Sequence, residues 1–403
     1  MARHRLAVFG LHTSPHLQRW VRMIARPDTA ILVIPSLLVH EALPPDFPLL
    51  RELGNLGALP PGIHVVTPAA LAAPGWWRRW PSLYRPLSHG FVPPHLLAWP
   101  GRLAALVEAF RPHLLHAMEI QISGYVALEA VRRLGRSAPP WIQSNWGSDT
   151  FLYHRQPSHR SRLSAVMQRA DGYLAECERD QATAQALGYR GPLFPALPAS
   201  GGMDLARIER IGTGPASRRR MIVVKGYHNW SGRSLIAFSA LALARERLRG
   251  VRIGVTNVTP AIERRIRLFR AETGLDIEAL PFLADHDKAL ERLGQARLLL
   301  GIGISDGIST SVLEAMAMGA FPIQSATACV DEWFVDGVGG RIVSPHDTQE
   351  IARTVSEAMS DDRLVDQAAA GNLATLKARW CAKKNGARAW TIYESLLDRG
   401  AKS

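Results

Sequence analysis

Short apolar runs along this chain are each followed by a polar turn and then by a stretch with helical spacing. Leu6 to Phe9 is the first run, and Gly10-Leu-His-Thr-Ser-Pro15 turns the chain. Leu17, Trp20, Val21 and Ile24 then fall on one face of a predicted helix, so the opening segment reads as a strand–loop–helix unit. The segments 30–35 (AILVIP), 64–66, 114–116, 140–143 and 172–175 read as further short strands, mainly apolar rather than alternating. Strands of that kind are covered on both faces, and their alternation with helices implies a parallel sheet.

The pattern stops in Pro195-Ala-Leu-Pro-Ala-Ser-Gly-Gly202, and a second breaker-rich stretch, Ile211-Gly-Thr-Gly-Pro-Ala-Ser-Arg-Arg-Arg220, follows. Beyond it the alternation resumes, with strands predicted at 221–224, 251–255, 276–281, 297–302 and 320–323. Helices are predicted at 232–247, 260–272, 286–293 and 309–318. The expected organisation is therefore two doubly wound α/β domains, residues 1–205 and 206–387. Ala389, Ile392, Leu396 and Leu397 give the tail a helical apolar face, so residues 388–403 are expected to pack back on the first domain. Doubly wound sheets bind ligands beyond the carboxyl ends of their strands, and two such domains are expected to face one another across a cleft.

Composition narrows the class. The 403 residues are 47% hydrophobic and 21% charged, as in ordinary globular chains, with no repeat period that would signal a solenoid. The apolar run at the N-terminus is too short for a signal peptide, and no run elsewhere reaches membrane-spanning length, so a cytoplasmic protein is expected. A formal charge of +13 favours acidic partners: nucleotide diphosphates, anionic headgroups or nucleic acid. No RNA-binding motif accompanies it, so nucleic acid is not expected. Cys177, Cys329 and Cys381 stand in no metal-ligand spacing.

The segment Leu298–Gln324, LLLGIGISDGISTSVLEAMAMGAFPIQ, concentrates the chemistry. An apolar strand ends in a Gly- and Ser-rich loop holding Asp306, and Ser309 is placed to cap a helix that runs through Glu314 and stops at Gly319. Unpaired backbone N–H groups and the helix dipole make such a junction an anion site, suited to a diphosphate. Asp306 in the loop and Glu314 on the helix present carboxylates that accept paired hydrogen bonds from the vicinal hydroxyls of sugar and ribose.

The order of that segment resembles the donor-binding signature of family 4 glycosyltransferases. It carries Asp306-x7-Glu314, Leu313-Glu-Ala-Met-Ala317, Gly319, Pro322 and Ile323 in the family's order, with Asp306 where the family usually has Glu. The resemblance implies that Glu314 binds the ribose hydroxyls and Asp306 the transferred sugar, while N–H groups near Ser309 and Thr310 cradle phosphate. Lys225 and Arg233, in Ile222-Val-Val-Lys-Gly226 through Trp230-Ser-Gly-Arg233, resemble the family's Arg and Lys in inverted order and would neutralise the diphosphate leaving group without a metal. Gly226, Gly307, Ile308 and Phe282 join the implied donor contacts. Pro198-Ala-Ser-Gly-Gly-Met-Asp204 is similar to the family's interdomain linker.

In the first half the resemblance holds only in outline. His116 ends the strand of Leu114-Leu-His-Ala-Met-Glu-Ile-Gln121, where family members often carry a His near the reacting carbon, and it is expected to face the cleft. Asn145, Ser148 and Asp149, in Gln143-Ser-Asn-Trp-Gly-Ser-Asp149, are the acceptor candidates, while Glu176 and Asp180 read either as further cleft residues or as helix caps. The stretch Gly75-Trp-Trp-Arg-Arg-Trp-Pro-Ser-Leu-Tyr-Arg85 suits two roles equally. Trp76, Trp77, Arg78, Arg79 and Trp80 fit a peripheral contact with anionic lipid, or packing of the rings with cation–π contacts to Arg.

The resemblance thus implies a GT-B fold of two Rossmann-like domains, the first for acceptor and the second for a UDP- or GDP-linked sugar. The implied reaction is retaining transfer to a glycan, lipid-linked or small-molecule acceptor, as in cell-surface polysaccharide or glycolipid biosynthesis at the inner face of the plasma membrane. No cofactor is expected beyond the nucleotide sugar, and no metal. Two other readings keep the fold: a sugar-nucleotide epimerase or hydrolase, and a non-catalytic nucleotide-sugar-binding protein.

Overall fold

The computed structural model describes residues 2–36, 47–67, 70 and 99–400, with backbone alone for 399 and 400. The chain divides into two compact units, Met1–Gly202 with Ala382–Ser403, and Met203–Cys381.

In the first unit the apolar runs become β1 (His4–Gly10), β2 (Thr29–Pro35), β3 (Leu49–Leu50), β4 (Gly62–Val66), β5 (Leu114–Met118), β6 (Trp141–Ser144) and β7 (Gly172–Leu174). They form a seven-stranded parallel sheet in the order β3-β4-β2-β1-β5-β6-β7. β2 is buried along its whole length because helices cover both faces. One covering layer contains Phe9, Leu103, Phe110, Val131 and Leu163. The other contains Val8, Trp20, Ile24, Ile142 and Tyr393.

The helix Pro15–Ile24 starts where the sequence places it, with Ser14 Oγ accepting from the His16 amide at 3.2 Å and Pro15 in the first turn. Against it packs the helix Ala382–Gly400, which contributes Ala389, Trp390, Ile392, Tyr393 and Leu396 to the core. Trp390 Nε1 donates to the Ile24 carbonyl at 2.8 Å and Trp20 Nε1 to the Tyr393 hydroxyl at 2.9 Å, so both indoles are buried with their polar edge satisfied.

The second unit contains β8 (Met221–Lys225), β9 (Arg252–Thr256), β10 (Ile277–Ala279), β11 (Leu298–Gly301), β12 (Phe321–Ser325) and β13 (Arg341–Val343). These six pair in parallel in the order β10-β9-β8-β11-β12-β13. Neighbouring residues enter opposite layers, Val224 with Phe238 and Leu300, Val223 with Leu313 and Trp380. Strand order reverses between β8 and β11, so Lys225 and Gly301 lie at the carboxyl ends of the two strands flanking a topological switch point.

Differences from the sequence pattern are local. The strand expected at 276–281 is only Ile277–Ala279, as Pro281 lacks the N–H a ladder needs. The helix expected at 232–247 ends at Leu243 and continues as a 3-10 turn, Arg245–Leu248. β3 and β13, of two and three residues, are too short to show as apolar runs. Among the described residues no helix is long and apolar enough to cross a membrane. Trp76, Trp77, Arg78, Arg79 and Trp80 lie outside the described residues.

Candidate functional site

At the β8/β11 switch point the chain builds an open pocket lined by residues from four segments. β8 supplies Lys225, the loop after it Tyr227, Ser231 and Gly232, the end of β11 and its loop Gly301, Gly303, Ser305 and Asp306, and β12 with its following turn Gln324 and Thr327.

Lys225 is brought to this pocket because the apolar strand before it is buried and the chain surfaces at its last residue. Its Nζ donates to Asp306 Oδ2 at 3.2 Å and to Ser309 Oγ at 2.8 Å. Asp306 in turn accepts from the Gly307 amide at 3.0 Å, which fixes its carboxylate at the loop corner. Ser309 occupies the N-cap position of the helix Thr310–Ala317, but its hydroxyl makes no capping bond and serves Lys225 instead. The first-turn amides of that helix thus have no hydroxyl cap, and the positive end of the helix dipole lies beside a lysine ammonium. A side-chain cation beside backbone donors is chemistry suited to an anion.

Glu314 lies on the same helix with its side chain 14% exposed. Its Oε1 is 2.9 Å from His286 Nε2, a residue at the first turn of the helix His286–Gly294. The sequence reading did not include His286, which stands 28 positions from Glu314 and in no motif. Tyr227, Ser231, Gln324 and Thr327 are likewise pocket residues that carried no signal of their own.

Several expected site residues are placed elsewhere. The Arg233 guanidinium donates through Nη1 to the carbonyls of Asn229 at 3.0 Å and Gly232 at 2.7 Å, so it braces its own loop and is not part of the pocket lining. A Cβ at Gly226 would collide with the Thr256 carbonyl, which its own amide contacts at 2.8 Å. Packing against β9, rather than a ligand's approach, therefore requires glycine there. The Ile308 side chain is in the core, and the Gly307 amide is spent on Asp306. Thr310 is half-buried at the start of its helix, and Phe282 is 89% exposed outside the pocket.

Most of the acceptor and catalytic candidates of the first unit are buried. His116 is buried, with Nδ1 2.8 Å from the Tyr393 hydroxyl and Nε2 2.9 Å from Ser144 Oγ. Burial lowers its pKa to about 3, so it is a neutral core residue joining β5 to β6 and the helix Ala382–Gly400. Both ring nitrogens are hydrogen-bonded within the unit.

Asn145 is fully buried, donating to Asp180 Oδ2 at 2.7 Å and Thr150 Oγ1 at 3.0 Å while accepting from the Glu176 amide. Asp149 accepts from the amides of Trp146 at 2.7 Å and Ile120 at 3.1 Å. Burial first, and then the Glu119 carboxylate, raise its pKa well above the usual carboxylate range. These are internal ties between loops. Ser148 begins the short helix Ser148–Phe151 and is half-buried. Glu176 accepts from the Ala199 amide at 2.9 Å, and Asp180 is held by Asn145 and Arg179.

Residues 221–361, which contain every pocket residue, match the family model described as glycosyl transferases group 1. This part of the second unit is thus similar to group 1 glycosyl transferases. Comparison with curated proteins returns no match for this chain. Solved structures are similar in fold across both units. HepE of Anabaena, in complex with UDP, is 12% identical over 97% of this chain and 100% of that one, with a TM-score of 0.69. The sucrose-phosphate synthase of Thermosynechococcus elongatus is 14% identical, covering 98% and 100%, with a TM-score of 0.71. The α,α-trehalose 6-phosphate synthase of Burkholderia multivorans is 14% identical, covering 100% and 99%, with a TM-score of 0.68. At such identities the likeness establishes the fold alone, which is GT-B: two Rossmann-like parallel-sheet domains.

Proposed function

We propose that the protein is a metal-independent glycosyltransferase that moves a sugar, with retention, from a UDP- or GDP-linked donor to a glycan or lipid-linked acceptor. The observation that carries this reading is the placement of Lys225 and the uncapped start of the helix Thr310–Ala317 at the switch point of a domain similar to group 1 glycosyl transferases. Loss of a nucleoside diphosphate develops negative charge on the leaving oxygen. A fixed ammonium and oriented amides stabilise that charge without reorganising.

Lys225 takes the leaving-group role, with Asp306 orienting it and facing the sugar. Glu314, held by His286, accepts from the ribose hydroxyls. The core position of His116 leaves transfer without a side-chain base from that residue, which favours front-face attack with the leaving phosphate taking the acceptor proton. A polysaccharide or glycolipid product and a peripheral contact with anionic lipid, through residues 76–80 at the inner face of the plasma membrane, complete the proposal.

The test is release of nucleoside diphosphate by the purified full chain, supplied with UDP- and GDP-sugars and with glycan and lipid extracts, followed by the anomeric configuration of the product in NMR. Turnover that inverts the anomeric centre would remove the retaining part. Donor binding with no diphosphate release under any condition would instead favour a non-catalytic protein.

A further inference from the structure

Gln324 carries a polar atom in the pocket wall that the protein itself leaves unused. It is in β12, paired in register with Gly301 of β11, and both residues line the pocket. Only 3% of Gln324 is exposed. Its Oε1 is shielded from solvent, and among the described residues no donor lies within hydrogen-bond range. Native chains keep few buried acceptors unpaired, and one carried by a residue that lines a ligand pocket calls for a donor from the ligand.

The neighbouring hydroxyls are committed elsewhere. Ser325 Oγ accepts from the Gly303 amide at 2.9 Å and donates to the Gly301 carbonyl at 3.2 Å. Thr327 Oγ1 donates to the Gly303 carbonyl at 2.6 Å. Gln324 Nε2 stands 3.5 Å from Ser325 Oγ, and the oxygen lies over Gly301. A Cβ at Gly301 would collide with that oxygen, so glycine at this strand position makes room for the amide.

We infer that Gln324 Oε1 accepts a hydrogen bond from a hydroxyl of the transferred sugar, which makes Gln324 a specificity determinant for the donor. The inference rests on the nucleotide-sugar reading above. A diphosphate offers oxygens without protons and cannot satisfy a carbonyl acceptor, whereas a sugar hydroxyl donates. A site built around a buried acceptor rejects analogues that lack the donating hydroxyl, because binding them leaves the acceptor unpaired.

Calorimetric titration of the full chain with UDP-glucose, GDP-mannose and ADP-glucose, and with UDP, GDP and ADP, supplies the baseline. In Gln324→Met, which keeps side-chain length and removes the acceptor, affinity for the bound nucleotide sugar falls about 3- to 10-fold while that for its free diphosphate is unchanged. Equal affinity for the nucleotide sugar in both proteins overturns the inference. An equal loss for the free diphosphate also overturns it, by assigning the hydroxyl to ribose.

Deoxyfluoro analogues of the sugar need no variant, since fluorine accepts but does not donate. One position is expected to cost the wild-type chain a similar factor, and insensitivity at every position rejects the contact. A wild-type chain that binds none of the nucleotides or nucleotide sugars overturns the underlying reading itself, an outcome distinct from a failed Gln324 arm.

Discussion

The Lys225 ammonium and the Asp306 carboxylate form an ion pair 3.2 Å apart, with side chains 19% and 30% exposed, across 81 residues of sequence. A half-open pair of this kind adds only about 0–1 kcal/mol to stability, so its value lies in holding two opposite charges at one pocket edge. On the proposed function a bound diphosphate competes with Asp306 for the lysine. Lys225→Met is therefore expected to lower turnover by about 10²- to 10³-fold, the usual cost of removing one leaving-group donor. Asp306→Asn should leave diphosphate affinity equal or tighter while reducing turnover. Steady-state rates and calorimetric diphosphate affinities check both, and a Lys225→Met enzyme with wild-type turnover would remove the lysine from the chemistry.

Glu314 and His286 make the second prediction. A carboxylate bonded to ribose hydroxyls contributes a charge-assisted bond, so Glu314→Ala should weaken nucleoside diphosphate binding by about 10-fold or more. His286→Ala, which frees the carboxylate from its 2.9 Å contact, is expected to have a smaller effect of the same sign. Titration with the free diphosphate measures both, and an unchanged constant in Glu314→Ala moves the nucleotide elsewhere.

For His116 the prediction concerns stability and acid rather than activity. Its folded pKa is about 3 against an ordinary value of 6.5, so above pH 6.5 both folded and unfolded forms are neutral and the stability is complete. As pH falls from 6.5 toward 3, only the unfolded chain takes up the proton, and stability is lost at up to about 1.4 kcal/mol per pH unit. Between pH 7 and pH 5 this amounts to about 2 kcal/mol. Urea unfolding of wild type and His116→Gln at the two pH values compares them, and the variant should show a shallower acid dependence. Identical slopes would mean that His116 is not the buried titrating group.

Gly301 offers a packing test. Alanine there pushes its methyl into Gln324 Oε1 and should lower stability by about 1–3 kcal/mol. In a Gln324→Ala background the methyl enters space the amide has vacated, so most of that cost should disappear. Thermal unfolding of the four proteins gives the coupling, and additive effects would mean that the two residues do not share the space.

Much of the fold was legible because both sheets are buried on two faces. Runs such as Leu6–Phe9 and Ile222–Val224 needed no partner to be recognised as strands, and Gly319 marked a helix end on its own. Lys225, Asp306 and Ser309 were likewise each named from local motifs, and the structure brings them within hydrogen-bond distance.

Other features depended on contacts that local patterns do not encode. His286 reaches Glu314 through the packing of two helices, and Tyr393 reaches His116 across 277 positions. The burial of His116, Asn145 and Asp149 was hidden from the sequence for the same reason. A polar residue at a strand end looks alike whether the next loop leaves it open or closes over it. Here it is covered, by Tyr393 for His116 and by Glu119 and Asp180 for the other two.

The helix Ala382–Gly400 belongs to the first unit but is encoded after the whole of the second. On the ribosome, Trp20 and His116 therefore wait for Tyr393 while more than 270 further residues follow His116, on the order of 15–55 s at ordinary elongation rates. During that interval the apolar face of Pro15–Ile24 lacks its cover, and the second unit, whose residues are contiguous, has time to fold first. The order of completion thus runs against the order of synthesis, and the nascent first unit is the part of the chain that a chaperone would be expected to shield.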